Sequence, residues 1–197
     1  MIRLFLASTS EVRADLLRAA GLSFTTAVAD VDETCIRKDC IGKSMLPSAV
    51  AASLAAAKAL AVAQTRPQDF VLGCDQVLAF EGEIVAKSEN LSEARILLQK
   101  LRGKPHRLVS AAALVKGGTV CWQTYETAVM HMRPFDDAFL DSYLQAESTG
   151  ILSAVGCYRL EERGIQLFDR VEGDYFTVLG LPLMPLMGAL RKEGLIP

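Results

Sequence analysis

The sequence predicts an α/β protein, a mixed β-sheet flanked by helices in a single domain spanning residues 1–197. Three observations predict it. The apolar run over residues 2–7 passes through Ser8-Thr9-Ser10 into an amphipathic stretch that stops at Gly21, which reads as strand, turn and helix. An alanine-rich helical stretch over 47–64 leads into a second apolar run over 70–73, so strands and helices alternate early. The middle is hairpin-rich instead, with β-prone runs over 107–115 and 119–130 joined by Gly117-Gly118, a pair suited to a two-residue turn.

The other elements follow from punctuation. Residues 23–28 read as a second strand, and the acidic, polar segment 30–44 reads as irregular, the kind of long loop that often carries function. Glu81-Gly82 marks a hairpin tip, and Ser92 is placed to cap a helix that ends near Gly103. Pro134 ends the sheet segment. Residues 136–146 are helical in pattern, 150–174 mix glycines with short apolar runs, and Pro182 starts a last helix over 183–192.

Composition excludes several classes. With 51% hydrophobic residues in 197, the chain can bury a substantial core and is neither disordered nor a repeat. Its 21 basic and 23 acidic residues nearly balance and form no long blocks, which argues against a nucleic-acid polymer or a membrane surface as partner. The five cysteines are odd in number and lack paired zinc spacing, and no signal peptide is evident at Met1-Ile2-Arg3, so a reduced cytoplasm is the expected compartment. Residues 44–65 are too alanine-rich to insert in a bilayer and carry Pro47 and Lys58.

Candidate chemistry gathers at four places. Ser8, Ser10 and Arg13 stand where a helix N-terminus offers free N–H groups to an anion, although Ser10 is equally an ordinary cap and Arg13 an ordinary first-turn residue. Asp30, Asp32 and Glu33 bring three carboxylates into one polar stretch, suited to a hard divalent cation or simply solvated. Lys58 is the one charge between Lys43 and Arg66; it either snorkels to water or meets a phosphate in a cleft. Asp75 follows the apolar run 70–73, at what reads as the carboxyl end of a strand, where α/β sheets place ligands. There it could bind a metal and act as general base, with Gln76 beside it offering both a donor and an acceptor to a base. A turn aspartate is the bland alternative. Lys87, beyond the Glu81-Gly82 turn, could add another cation. His106 and His131 lack metal spacing, and no nucleophile elbow, Walker loop or dinucleotide fingerprint is present.

In order along the chain, these segments resemble the Maf family of nucleotide pyrophosphatases. The matching pieces are Leu6-Ala7-Ser8-Thr9-Ser10 with Arg13, Asp32-Glu33, Lys58-Ala59, Gly73-Cys74-Asp75-Gln76, Lys87, Gly103-Lys104 with His106, Gly156 with Tyr158, Glu172-Gly173-Asp174-Tyr175, and Val178-Leu179-Gly180-Leu181-Pro182. The resemblance implies an elongated mixed sheet in two lobes around a central cleft, a homodimer, a divalent cation (Mg²⁺ or Mn²⁺), and hydrolysis of a nucleoside triphosphate between its α and β phosphates. It further implies Asp75 as proton acceptor, Glu33 as a metal or catalytic carboxylate, Lys58 and Lys87 as phosphate-facing lysines, and Ser8, Ser10 and Arg13 as the N-terminal phosphate-binding segment. Val12, Gln76 and Glu161 fall where the family sets its substrate, and Gln76 with Glu161 resembles the branch acting on 7-methyl-GTP. A nucleotide-binding regulator of septum formation with little turnover is the alternative the family raises. The chain departs from the family at Ser10-Glu11-Val12-Arg13, where Ser-Pro-Arg-Arg is usual, and at Ala86-Lys87-Ser88, where Gly-Lys-Pro is usual.

Overall fold

The structure is a computed structural model describing residues 3–197. Among these, one seven-stranded mixed sheet runs in the order β2-β1-β3-β5-β6-β7, with β4 paired to β3. Its strands are β1 (Leu4–Ala7), β2 (Thr25–Thr26), β3 (Phe70–Phe80), β4 (Glu83–Val85), β5 (Pro105–Lys116), β6 (Thr119–Met132) and β7 (Phe168–Glu172). The helices are α1 (Glu11–Ala19), α2 (Glu33–Gly42), α3 (Pro47–Ala63), α4 (Leu91–Leu101), α5 (Asp137–Glu147), α6 (Tyr175–Val178) and α7 (Leu183–Lys192). The α/β class expected from the sequence is therefore the observed one. The chain divides into two compact units, one of residues 1–76, 109–126 and 175–197, the other of 77–108 and 127–174.

The first unit is built on β1. All four of its residues are buried, because it lies between β2 and β3 in parallel register and is covered on both faces. Alternation sends Leu4 and Leu6 to one side, with Leu72 and Cys74 of β3, Ala14 and Leu17 of α1, and Leu186 and Leu190 of α7. Phe5 and Ala7 go to the other side, with Val71 and with Ala59, Val62 and Ala63 of α3.

The second unit holds the Glu81-Gly82 hairpin expected from the sequence, with both residues at positive φ (50° and 88°). Gly117 and Gly118 also take positive φ (58° and 73°), which a two-residue turn between right-twisted strands demands; that turn belongs to the first unit. In the second unit Tyr158 packs edge-on to Phe168 at 4.7 Å between ring centroids, and its hydroxyl lies 2.6 Å from His106 Nε2. Glu147 anchors Arg159, which also pairs with Glu162 at 2.6 Å.

Burial of His106 pushes its imidazole down from the usual 6.5 to about 4, with His131 adding to the shift, and its Nδ1 has no partner among the described residues. Because the folded form resists the proton that the unfolded chain accepts, stability is fully present above pH 6.5 and is lost as pH falls toward 4. The loss should reach on the order of 3 kcal/mol at pH 4 from this group. Urea unfolding of wild type and His106→Gln between pH 7 and 4 checks it. The variant should lose less stability than wild type across that window, and equal losses would contradict the account.

Several boundaries differ from the sequence reading. Segment 30–44 is not irregular, since α2 occupies most of it. The Asp32 side chain accepts from Cys35 N at 2.9 Å as a cap, and the helix buries Cys40 while packing on α3. Strand 23–28 shrinks to the exposed pair Thr25–Thr26. Helix α4 is capped by Asn90, not Ser92: Asn90 Oδ1 accepts from Glu93 N at 3.0 Å, and the Glu93 carboxylate in turn accepts from Glu89 N at 2.9 Å, leaving Ser92 inside the first turn. Strand β3 continues to Phe80, because Val77 and Leu78 carry the buried pattern onward past Asp75. Segment 150–174 includes β7, which pairs with β6, and two short 3-10 turns. Residue 2 of the first apolar run lies outside the described residues.

Candidate active site

Gly73 determines how closely α3 approaches β3. A Cβ built there would overlap the Ala55 carbonyl oxygen and lie 2.8 Å from Ala59 N, so only glycine lets α3, lined with Ala51, Ala55 and Ala59, rest on the strand backbone. Residues two apart on a strand share a face, so Asp75 faces α3 as Gly73 does. That brings it to Lys58.

Lys58 Nζ lies 2.7 Å from Asp75 Oδ1 and 3.0 Å from Glu33 Oε2. Asp75 is 6% exposed at its side chain and Lys58 12%, whereas Glu33 is 45% exposed. The buried lysine has thus found an outlet other than snorkelling: its ammonium joins two carboxylates that stand 42 positions apart in sequence. Breaking such a buried pair from one side leaves a charge uncompensated and costs about 3–5 kcal/mol. Asp75 Oδ2 is buried and lacks any partner among the described residues.

Glu33 opens α2 and Asp32 precedes it as the cap, a division of labour among neighbouring carboxylates that the sequence left open. Asp32 spends its oxygen on the helix; Glu33 reaches Lys58. Asp30 is exposed.

The strand position of Asp75 also differs from expectation. Asp75 lies within β3 rather than at its end, but β1 stops at Ala7 opposite Gly73. Asp75 therefore sits about 7 Å past the carboxyl end of its parallel neighbour, beyond the point where the chain leaves β1 for α1.

That departing turn is held by Arg13. Its Nε donates to Gly180 O at 2.8 Å, and one Nη donates to Cys74 O at 3.1 Å and to Ser8 Oγ at 3.4 Å. Ser8 Oγ also accepts from Ser10 N, and Ser10 caps α1 by accepting from Arg13 N at 3.4 Å. Ser10 is a helix cap, as one sequence reading had it, and Arg13 is half-buried, tying the turn to the backbone beside Asp75. Val12 lies half-buried in the first turn of α1.

Gln76, next along the strand, points to the opposite face from Asp75. Its Nε2 donates to Ser110 Oγ at 2.9 Å and to the Thr177 and Val178 carbonyl oxygens at 3.1 and 3.0 Å. The amide nitrogen is committed to holding the α6 segment, and what remains for a ligand is the carbonyl oxygen. Ser110 and Thr177 carry no signal in the sequence, and Gly180 enters it only within the matching segment Val178-Leu179-Gly180-Leu181-Pro182; a glycine such as Gly73, interrupting a strand pattern, is the signal that could have announced the close approach. Lys87 and Glu161 are exposed residues of the second unit, Lys87 next to the buried Ser88.

The donor set suits a hard divalent cation: one buried carboxylate oxygen without a partner and one half-exposed carboxylate, both offering oxygen alone. No group of three or more His, Cys, Asp or Glu is gathered among the described residues, so the protein would supply two carboxylates and leave the other positions to water and substrate. No described helix is long and apolar enough to cross a membrane.

The chain is 43% identical over its full length to a nucleoside triphosphate pyrophosphatase of Maricaulis maris, covering 99% of that protein. It is 43% identical to a 7-methyl-GTP pyrophosphatase of Brucella abortus, covering 98% of this chain and 96% of that one. The same identity holds against a 7-methyl-GTP pyrophosphatase of Bartonella henselae, covering 95% and 94%. The family model described as Maf-like protein matches residues 3–193, and with these relatives it establishes that the chain belongs to the Maf-like protein family.

Proposed function

We propose that this chain is a nucleoside triphosphate pyrophosphatase, a hydrolase that cuts a nucleotide between its α and β phosphates to release nucleoside monophosphate and pyrophosphate. The observation that carries the reading is Asp75: a carboxylate more than nine-tenths buried, held by Lys58 through one oxygen, with the other oxygen unpartnered. Full-length relatives named as pyrophosphatases support it. A septum-linked regulator without turnover is not favoured, since an unpartnered buried carboxylate beside a lysine suits proton transfer better than passive holding of an anion.

In this mechanism Asp75 Oδ2 accepts a proton from the water that attacks the α phosphorus, and pyrophosphate leaves. Lys58 compensates negative charge as it builds on the phosphate oxygens. Ser8, Ser10 and the part of Arg13 not tied to the backbone line the segment that meets the phosphates. Mg²⁺ or Mn²⁺, held by Glu33 and Asp75, supplies Lewis-acid polarisation of the phosphate oxygens when bound.

The substrate we assign is 7-methyl-GTP or a related modified nucleotide. Gln76, limited to its carbonyl oxygen, accepts hydrogen bonds, which suits the N–H edge of a guanine. Val12 is the third position assigned to substrate choice. The protein works as a homodimer in the cytoplasm, a compartment consistent with its five free cysteines, and its near-balanced charge gives no footing for a nucleic-acid polymer. A pyrophosphate-release screen over common, methylated and damaged triphosphates, with and without Mg²⁺ or Mn²⁺, tests these assignments. Metal-dependent release, fastest with 7-methyl-GTP, is expected. Release fastest with thymidine or uridine triphosphate would reject the substrate, and no release from any would reject the activity.

A further inference from the structure

We propose that the Lys58 ammonium is the resident cation of the nucleotide-free site, holding Glu33 and Asp75 together and keeping a divalent cation out until a triphosphate draws it away. This rests on the reading of Glu33 and Asp75 as the metal-holding carboxylates. One oxygen of each carboxylate that would hold a metal is already taken, at 3.0 and 2.7 Å, by one nitrogen. With the ammonium in place the trio carries a net charge of about −1; with it gone, the carboxylates alone carry about −2, and attraction for a divalent ion rises steeply at such short range.

Burial makes the exclusion effective. Asp75 Oδ2 is sealed from solvent while Lys58 sits against its partner oxygen, so a hydrated ion cannot reach it without displacing something. Mg²⁺ gives up its waters reluctantly and gains little from a site already neutralised in part. Lys58 is the group built to move, since its charge rides on a flexible four-carbon stem while α3 and β3 are locked together at Gly73. A triphosphate offers that ammonium several oxygens, and its departure opens both carboxylates. Metal and nucleotide therefore enter together, and the free protein holds metal weakly.

The test uses nucleotide-free full-length protein and Mn²⁺ alone, with bound ion read from the loss of the free-Mn²⁺ electron paramagnetic resonance signal. Lys58→Met should bind Mn²⁺ at least tenfold more tightly than wild type, and Lys58→Gln should follow it. Lys58→Arg, which keeps a cation, should stay near wild type. Adding Glu33→Gln to Lys58→Met should remove the gain, which places the bound ion. Cooperative thermal unfolding of each variant establishes that it is folded, and Lys58→Gln, able to keep a hydrogen bond to Asp75, stands in should Lys58→Met fail to fold. Equal affinity in wild type and both neutral variants, or a gain that survives Glu33→Gln, would overturn the proposal. Pyrophosphate release is measured separately on wild type: a Mn²⁺ gain without any release defeats the enzymatic reading alone, and release without the gain defeats this inference alone.

Discussion

Gly73→Val is expected to disrupt the first unit and abolish efficient turnover together. Even a methyl group at this position overlaps the Ala55 carbonyl oxygen and crowds Ala59 N, both backbone atoms of α3 that cannot rotate aside as a side-chain tip would. Overpacking against rigid neighbours costs about 3 kcal/mol or somewhat more. In a chain of this size that is a fall in melting temperature of roughly 6–12 °C. The same displacement carries Lys58 away from Asp75, and a shift of about 1 Å in a catalytic group is enough to lower turnover by about 100-fold. Gly188→Ala is the control: it lies in α7 with nothing within 4 Å of a built Cβ, so stability there should hold or rise slightly. Thermal melts and initial rates on both variants check the pair. A Gly73→Val protein with wild-type melting and rate would mean that α3 is not held by this contact.

The legible part of the site was the part that the sequence isolates. Lys58 is conspicuous because a charge inside an alanine-rich helix must find a partner, and Asp75 because it closes an apolar run. Gly117-Gly118 announced its turn because two consecutive positive φ values leave few other residues. Partner choice was illegible by contrast. By residue type alone Asp30, Asp32 and Glu33 read alike as acids in a polar stretch; the family resemblance picks out Glu33, and the start of α2 supplies the reason, since Asp32 caps the helix while Glu33 turns to Lys58. The helix itself was missed because it buries a single residue, Cys40, and so lacks the apolar stripe that marks a helix in sequence. Gln76 read as a base-contacting group beside Asp75. A strand that continues straight through both residues turns them to opposite faces, and α6, a one-turn helix too short to recognise in advance, takes the amide nitrogen and leaves the carbonyl oxygen for a base.

Asp75→Asn has the largest expected effect on chemistry. Asparagine keeps the shape of the buried side chain, so β3, α3 and the Gly73 contact have no steric reason to move. Its carbonyl oxygen can still accept from Lys58, which places the amide NH₂ where the unpartnered Oδ2 now stands. That NH₂ donates and cannot take a proton from water, and the negative charge that would help hold a divalent cation is gone. General-base catalysis alone accounts for about 10²–10⁴ in rate, so a fall of about 1,000-fold is expected. Lys58 remains paired with Glu33 at 3.0 Å, and the protein should still unfold cooperatively. The most direct measurement is the rate of pyrophosphate release by Asp75→Asn against wild type at saturating triphosphate and metal. A loss of about three orders of magnitude in a folded protein is predicted, and a variant within about tenfold of wild type would show that the proton goes elsewhere.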